Sequence, residues 1–282
     1  MVERNRWLTA LSHAVMLLGI LIVAFPIYLA FAASTHSASE IMQAPMPLWP
    51  GQHLWQSYSD ALTGGGRTSG TASVPRMMLV SLVVTLIITF GKIAISLISA
   101  FAIVYFRFPL RALCFWLIFI TLMLPVEVRI GPTYEVVAKL KMINTFAGLS
   151  IPLIASATAT FLFRQFFLTV PDELVEAARI DGAGPMRFFF TVLLPLSATS
   201  IAALFVIQFV YGWNQYLWPL IVASSEDMYP IVVGIKSMMG AGESQSDWNI
   251  VMATACLALL PPAVVVVLMQ KWFVKGLVDT EK

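Results

Sequence analysis

The sequence predicts an all-α integral membrane protein with six transmembrane helices. Of its 282 residues, 59% are hydrophobic and only 11% are charged, whereas soluble domains carry about 25% charged residues. Long apolar segments recur along the chain, and a helix of about 20 apolar residues can cross the hydrocarbon core of a bilayer. The net charge of +2 is too small for a nucleic-acid-binding surface, so nucleic acid is excluded as a partner.

The predicted spans cover residues 11–33, 77–106, 112–123, 147–168, 198–222 and 251–270. The first has a longer apolar core than the roughly 7–15 residues of a secretory signal, so we expect an uncleaved anchor. The third is the weakest, because Pro125, Glu127 and Arg129 interrupt its outer end. It spans the bilayer only if the helix continues toward Gly131.

The distribution of Lys and Arg predicts the orientation of the spans. On the side of the N-terminus lie Arg4, Arg6, Arg107, Arg111, Arg164, Arg179, Arg187, Lys271, Lys275 and Lys282. On the opposite side, in longer segments, lie Arg67, Arg76, Arg129, Lys139, Lys141 and Lys236. Because basic residues concentrate in cytosolic loops, we expect both termini in the cytosol.

These spans define the expected organisation of the chain. A cytosolic N-terminus (1–10) precedes a six-helix transmembrane domain (11–271), and a cytosolic tail (272–282) follows it. The outer loops are 34–76 and 223–249, and the main cytosolic loop is 169–197.

The cytosolic loop is predicted to contain a short helix with a marked start and end. Pro171 suits the first helical turn, where its missing N–H costs nothing. The acidic residues that favour the positive end of the helix dipole are Asp172, Glu173 and Glu176. Gly182 suits a left-handed C-terminal cap, and Pro185 can begin the next helix.

The order of residues in this loop carries a family resemblance. Glu176-Ala177-Ala178 is followed, after three residues, by Gly182, and nine residues later comes Val192-Leu193-Leu194-Pro195. This resembles the EAA loop of ABC importer permeases, with Val192 in place of Ile. The resemblance implies a type I ABC importer permease fold, in which the short helix is a coupling helix seated on an ATP-binding subunit. The coupling residues that it implies are Asp172, Glu173, Glu176, Ala177, Ala178, Asp181, Gly182 and Pro195.

The resemblance extends beyond the loop. Residues 213–219 (Trp-Asn-Gln-Tyr-Leu-Trp-Pro) resemble a segment of the carbohydrate-importer branch that includes the maltose permeases. Residues 108–111, 122–129 and 276–282 resemble the permeases of sn-glycerol-3-phosphate importers, and this similarity runs nearly end to end. It implies a bacterial plasma (inner) membrane location, a second non-identical permease subunit, two ATP-binding subunits and a solute-binding protein. Glycerophosphodiesters are the variant cargo that shares the glycerol-phosphate group.

Ionisable and amide side chains within the predicted spans are candidates for the solute path. Lys92 and Arg129 could attract a phosphate-bearing solute, and Asn214 is a third candidate. Two readings of Lys92 stay open at this point: it lines the path, or it pairs with Glu127 or snorkels along the bundle. Gln208 is expected to fasten one helix to another.

Two further expectations concern the outer side of the membrane. The aromatic residues Trp213, Tyr216 and Trp218 are expected to form an interfacial belt. In maltose-type permeases an outer loop before the last span reaches the solute-binding protein. The residues implied in that contact are Met238, Met239, Gly240, Ala241, Gly242 and Glu243.

Other functions compete with the importer permease. A permease for a different sugar or polyol remains an alternative, as does a secondary transporter, although the chain offers few intramembrane acidic residues for ion coupling. An enzyme is not expected, because no catalytic or metal-ligating set is apparent, and Cys114 and Cys256 lie inside apolar runs. The chain has no Walker motif, so we expect ATP and Mg²⁺ to bind partner subunits and no cofactor to bind this chain.

Overall fold

The computed structural model describes residues 6–64, 73–121, 126–239 and 247–278, and it describes side chains over these ranges except at 126–127 and 273–278. Within these ranges the chain is helical, with no β-strand. The described residues belong to two compact units, one of Met1–Arg76 with Gly234–Leu260 and one of Met77–Val233 with Pro261–Lys282.

The helices follow each other in this order: α1 (Arg6–Ser34), α2 (Ala38–Ile41), α3 (Leu54–Thr63), α4 (Val74–Tyr105), α5 (Arg111–Ile120), α6 (Val126–Lys139), α7 (Phe146–Ser150), α8 (Ala157–Phe167), α9 (Asp172–Ile180), α10 (Pro185–Phe188), α11 (Leu194–Leu196), α12 (Ala198–Trp213), α13 (Leu217–Val222), α14 (Ile231–Met238) and α15 (Trp248–Val278). Short 3-10 turns occupy Ile151–Leu153 and Glu226–Met228, and a π-helical segment occupies Phe189–Leu193.

Three described helices are long and apolar enough to cross a membrane without a break. They are α1, α4 and the Trp248–Trp272 part of α15, and they contain the first and sixth predicted spans and all but the last residue of the second. Two bent pairs could each form one more span: Phe146–Leu153 with Ala157–Phe167 at 48°, and Pro185–Leu196 with Ala198–Trp213 at 70°. By length and composition the described residues therefore provide up to five spans, plus the shorter apolar helix α5.

The fourth and fifth predicted spans are each interrupted. The fourth is interrupted between Leu153 and Ala157, where the Ser156 side chain accepts a hydrogen bond from the backbone N–H of Ala159 and starts a new helix. The fifth stops at Trp213, because the amides of Asn214 and Gln215 bond to carbonyl groups one turn back. Polar side chains that bond their own backbone compete with the helix and end it locally.

The third predicted span is the ten-residue helix α5, which is too short to cross a bilayer alone. Helix α6 begins at Val126 and carries Gly131, whereas positions 122–125, which would join it to α5, lie outside the described residues. Arg129 is exposed on α6, whereas the side chain of Glu127 lies outside the described residues.

In the first unit, a compact polar connection follows α1. The backbone N–H of Gly51 donates to Thr35 Oγ1 at 2.7 Å, and the N–H of His53 donates to the carbonyl of Thr35 at 2.8 Å. The backbone N–H of Ser37 donates to the Glu40 carboxylate and His36 lies beside it, so the pKa of Glu40 is below its ordinary value. These bonds give the predicted outer loop 34–76 a defined start.

In the second unit, two apolar clusters pack against α4. One contains Val84, Ile88, Leu149, Trp218 and Val222. The other is aromatic and contains Phe101, Phe163, Phe167, Phe188 and Phe189. The belt expectation was wrong for two residues, because Trp213 and Trp218 are only 2% and 3% exposed.

Trp218 connects α13 to α7 within the first cluster. Its indole Nε1 donates to the carbonyl of Gly148 at 3.0 Å, and a Cβ on Gly148 would collide with the carbonyl oxygen of Met142. We expect Gly148→Ala to lower the free energy of unfolding by about 1–3 kcal/mol, as overpacking does. Thermal unfolding of the purified protein measures this change.

Gly19→Ala is the matched control, because an added Cβ at Gly19 meets nothing within 4 Å. We expect the control to match or slightly exceed the parent in stability, since alanine favours helix over glycine. Equal unfolding temperatures for the two variants would contradict the close approach at Gly148.

Candidate functional site

The loop between α8 and α12 forms the turn that the sequence predicts. Helix α9 begins with Asp172 and Glu173 in its first turn, and Pro171 precedes the helix as its N-cap rather than lying inside it. Gly182 adopts φ +72, in the left-handed region. The N–H of Ala183 donates to the carbonyl of Ala178 at 2.8 Å, and the N–H of Gly182 donates to that of Arg179 at 3.0 Å. These two bonds are the Schellman pattern that ends a helix.

The chain re-enters a helix directly after this turn. Gly184 is extended (φ −70, ψ 167) and caps α10, which starts at Pro185. The π-helical segment and α11 follow, with Pro195 exposed in α11. The sharp bend before α12 lies next to this proline, which cannot donate a backbone hydrogen bond.

One face of α9 rests on the aromatic cluster of the second unit. Val175 and Ala178, three residues apart, pack against this cluster. The ring of Phe189 lies 4.9 Å from that of Phe101, and the ring of Phe188 lies 5.4 Å from that of Tyr105. The aromatic cluster therefore connects α9 and α10 to the end of α4 by direct packing.

The other face of α9 has no partner within the described part of the chain. Glu176, Ala177 and Asp181 are exposed, and Glu176 forms no ion pair with a described residue. Ile180 is 86% exposed and Met186 on α10 is 61% exposed. An acidic helix flanked by exposed apolar side chains is typical of a protein–protein contact surface.

The second unit also encloses a cavity of about 700 Å³ between α4, α5, α6, α8 and α12. It is lined by Lys92, Ile95, Ser99, Leu117, Ile118, Thr121, Arg129, Leu153, Ala155, Ser156, Ala157, Thr158, Thr160, Ile207, Gln208 and Tyr211. Two of these residues are cationic and none is acidic. The structure thus places Lys92 and Arg129, the two cations that the sequence proposed for the solute path, on one cavity.

Two side chains of α12 hold the ammonium group of Lys92 in place. Its Nζ donates to Gln208 Oε1 at 3.1 Å and lies 3.7 Å from the centroid of the Tyr211 ring. An amide oxygen and an aromatic face stabilise an ammonium group without neutralising it. The charge of Lys92, which is only 5% exposed as a residue, is therefore available to the cavity.

A close helix crossing makes this contact possible. Gly212 on α12 faces Thr85 on α4, and a Cβ on Gly212 would lie 3.2 Å from the Thr85 backbone. Small residues let helices approach closely in membranes. Lys92 lies two turns further along α4 and Gln208 one turn back along α12, so the same crossing brings them together.

The structure places the remaining candidates elsewhere. Asn214 caps α12 by donating to the carbonyl of Val210 at 2.9 Å, and it does not line the cavity. Met238 is buried and Met239 half-buried at the end of α14. The other four residues of the predicted binding-protein contact, 240–243, lie outside the described residues.

Sequence reasoning identified Gln208 only as a fastener and did not identify Tyr211. The fastening role is confirmed, and its partner is Lys92. Gln208 and Tyr211 are three residues apart and share one face of α12, which is a signal that the sequence contained. Asn144 was also missed: its Oδ1 accepts from the backbone N–H groups of Ser224 and Ser225 and anchors the segment after α13.

The helical architecture, with a short exposed helix between bent spans, is that of a multi-pass membrane protein. Residues 92–279 match the family described as binding-protein-dependent transport system inner membrane component. The chain belongs to this family.

Similar proteins cover the whole chain. It is 59% identical over 283 residues to the sn-glycerol-3-phosphate transport system permease protein UgpE of Pectobacterium atrosepticum, with 100% of both chains aligned. It is 58% identical, again over 100% of both chains, to the proteins of that name from Escherichia coli O1:K1 and Rhizobium meliloti.

The fold also matches a solved structure. A chain of a bacterial ABC transporter involved in the import of the acidic polysaccharide alginate superposes with a TM-score of 0.81 at 20% identity. The match covers 97% of this chain and 99% of that one. The protein therefore has the type I ABC importer permease fold that the loop pattern predicted.

Proposed function

We propose that this chain is a permease subunit of an ATP-driven importer of sn-glycerol 3-phosphate and forms half of its translocation path. The cavity that contains Lys92 and Arg129 carries the proposal. Among the lining residues that the structure describes, two are cationic and none is acidic, which favours an anion, and phosphate is the strongly anionic part of this solute. Its volume of about 700 Å³ lies within the range of small-molecule sites.

The similarity to UgpE proteins supports the same cargo. The alignments with these proteins cover the full length of the chain at 58–59% identity. Two cations facing one cavity favour an anionic solute over a neutral sugar or polyol. Glycerophosphodiesters, which share the glycerol-phosphate group, remain within the proposed cargo class.

The exposed face of α9 is the proposed contact with a separate ATPase. Glu176, Ala177 and Asp181 would face that subunit, while Val175 and Ala178 transmit its movement to the aromatic cluster. ATP and Mg²⁺ would bind two ATP-binding subunits and not this chain. The helix bundle would then alternate between an inward-facing and an outward-facing state, and the ATPase pair would shift the equilibrium between these two states.

The remaining partners follow from this assignment. A second, non-identical permease would complete the path, and a solute-binding protein would deliver the solute at the outer side through Met239 and residues 240–243. Loop 169–197 and both termini would face the cytosol of a bacterium, consistent with the basic residues on that side.

The test is uptake by the complete transporter in proteoliposomes that contain ATP. We expect ATP-dependent uptake of labelled sn-glycerol 3-phosphate, competition by a glycerophosphodiester, and no competition by glycerol. Glycerol is the matched control because it lacks only the phosphate group. Uptake of a neutral sugar that sn-glycerol 3-phosphate does not inhibit would overturn the proposed cargo.

A further inference from the structure

A second cationic cavity lies at the end of the spans from which the α9 loop leaves. Its volume is about 400 Å³, and Ile103, Val104, Arg111, Ala112, Phe115, Trp116, Arg164 and Leu168 line it. These residues come from the end of α4, the start of α5 and the end of α8. The solute cavity shares none of these residues.

The two arginines are positioned but not neutralised. The Arg164 guanidinium lies 4.2 Å from the centroid of the Phe115 ring, and its Nε has no hydrogen-bond partner among the described residues. Arg111 Nη1 makes only a long 3.5 Å contact with the carbonyl of Phe106. Neither arginine forms an ion pair within the described ranges. Both guanidinium groups therefore keep donors for a phosphate, which they match geometrically.

An apolar strip leads away from this cavity along α5. Leu113, Trp116, Leu117 and Ile120 are each 50–56% exposed and recur at helical spacing on one face. A cationic pocket at the end of the spans, continued by an exposed apolar face, complements both parts of an anionic phospholipid, its charged head group and its acyl chains. Basic pockets between transmembrane helices bind anionic head groups in this way.

We propose that Arg111 and Arg164 form a binding site for the phosphate of an anionic phospholipid, whose acyl chains lie along α5. The Arg164–Phe115 stack holds one guanidinium in place, and Trp116 borders the head-group region. The arginine pocket itself shares no lining residue with the solute cavity, and Leu117 on the apolar strip of α5 also lines that cavity.

Native mass spectrometry of the complete transporter from nanodiscs tests this site. With phosphatidylglycerol in the nanodisc, we expect the doubly substituted Arg111→Gln, Arg164→Gln protein to retain the lipid at least about tenfold less than the parent, since each arginine contributes to head-group attraction. Arg107→Gln is the matched control: this arginine is exposed four residues before Arg111 and does not line the cavity. We expect it to retain the lipid like the parent.

The single variant Arg111→Gln keeps the test valid if loss of Arg164 impairs folding. Arg111 is exposed, so we expect its substitution to leave folding intact. We expect a partial loss of lipid retention from this single change. Retention by Arg111→Gln equal to that of Arg107→Gln would overturn the proposal. Displacement of the lipid by millimolar inorganic phosphate would also overturn it, because the site would then bind the free anion. Coverage of α5 by the second permease in the complex would overturn it as well, because the acyl chains could not lie along α5.

Discussion

Gly182→Val is expected to lower ATP-driven uptake at least about tenfold while the protein is still produced and inserted. Gly182 holds φ +72, a conformation that costs an L-residue about 1–2 kcal/mol and a β-branched residue more. The strain falls on the turn whose two hydrogen bonds end α9 and aim α10. A shift of about 1.4 kcal/mol against the coupled arrangement suffices for a tenfold effect.

Gly184→Val separates backbone conformation from side-chain size. Both glycines leave space for a Cβ, with nothing within 4 Å, but Gly184 is extended at φ −70. We expect this control to transport at the parental rate, and we expect co-purification with the ATPase to weaken only for Gly182→Val. If the two valine variants behaved alike in uptake, the left-handed turn would have no role in coupling.

Lys92→Met and Arg129→Gln are each expected to raise the KM for sn-glycerol 3-phosphate uptake about 10- to 100-fold. The range corresponds to the loss of one charged hydrogen bond, about 1.5–3 kcal/mol. Lys92→Met also leaves the buried Gln208 oxygen without its donor, so part of its effect falls on stability. Arg129 is exposed, and its substitution isolates the effect on the solute.

Lys139→Met is the matched control for the lysine change. Lys139 is on α6, its side chain is 79% exposed, and it lies 3.9 Å from Glu135 at the surface. Exposed pairs of this kind contribute about 0–1 kcal/mol, so we expect a parental KM. Parental KM values for both Lys92→Met and Arg129→Gln would remove the cationic cavity from the solute path.

The sequence predicted the helix ends that depend only on residues close to them in the chain. The turn at Gly182 and the restart at Pro185 were predicted, because capping and the missing N–H of proline act within a few residues. The interruptions near Ser156 and Asn214 were missed, although a Ser cap and two amides were visible in the sequence. Hydropathy averages over such residues, whereas a helix ends at individual hydrogen bonds.

Tertiary packing decided the rest of the site. Lys92 and Arg129 were selected for their charge within apolar segments, and the structure places both on one cavity. Which side chain would hold Lys92 depends on the α4–α12 crossing at Gly212, and one sequence does not reveal that register. The burial of Trp218 has the same origin, because its partner is a backbone carbonyl 70 residues away.

Protection of the cavity by the solute tests the central claim most directly. In a chain with Cys114 and Cys256 replaced by serine and alanine, Thr158→Cys places a thiol on the exposed cavity wall, and Ser39→Cys places one on α2 as a control. The labelling rate with a charged thiol reagent is measured in the complete transporter during turnover. We predict that sn-glycerol 3-phosphate slows the labelling of Thr158→Cys and that glycerol does not. We predict the same labelling rate for Ser39→Cys with either solute and without one. Equal labelling of Thr158→Cys with and without sn-glycerol 3-phosphate, in a transporter that imports it, would contradict the assignment of this cavity to the path.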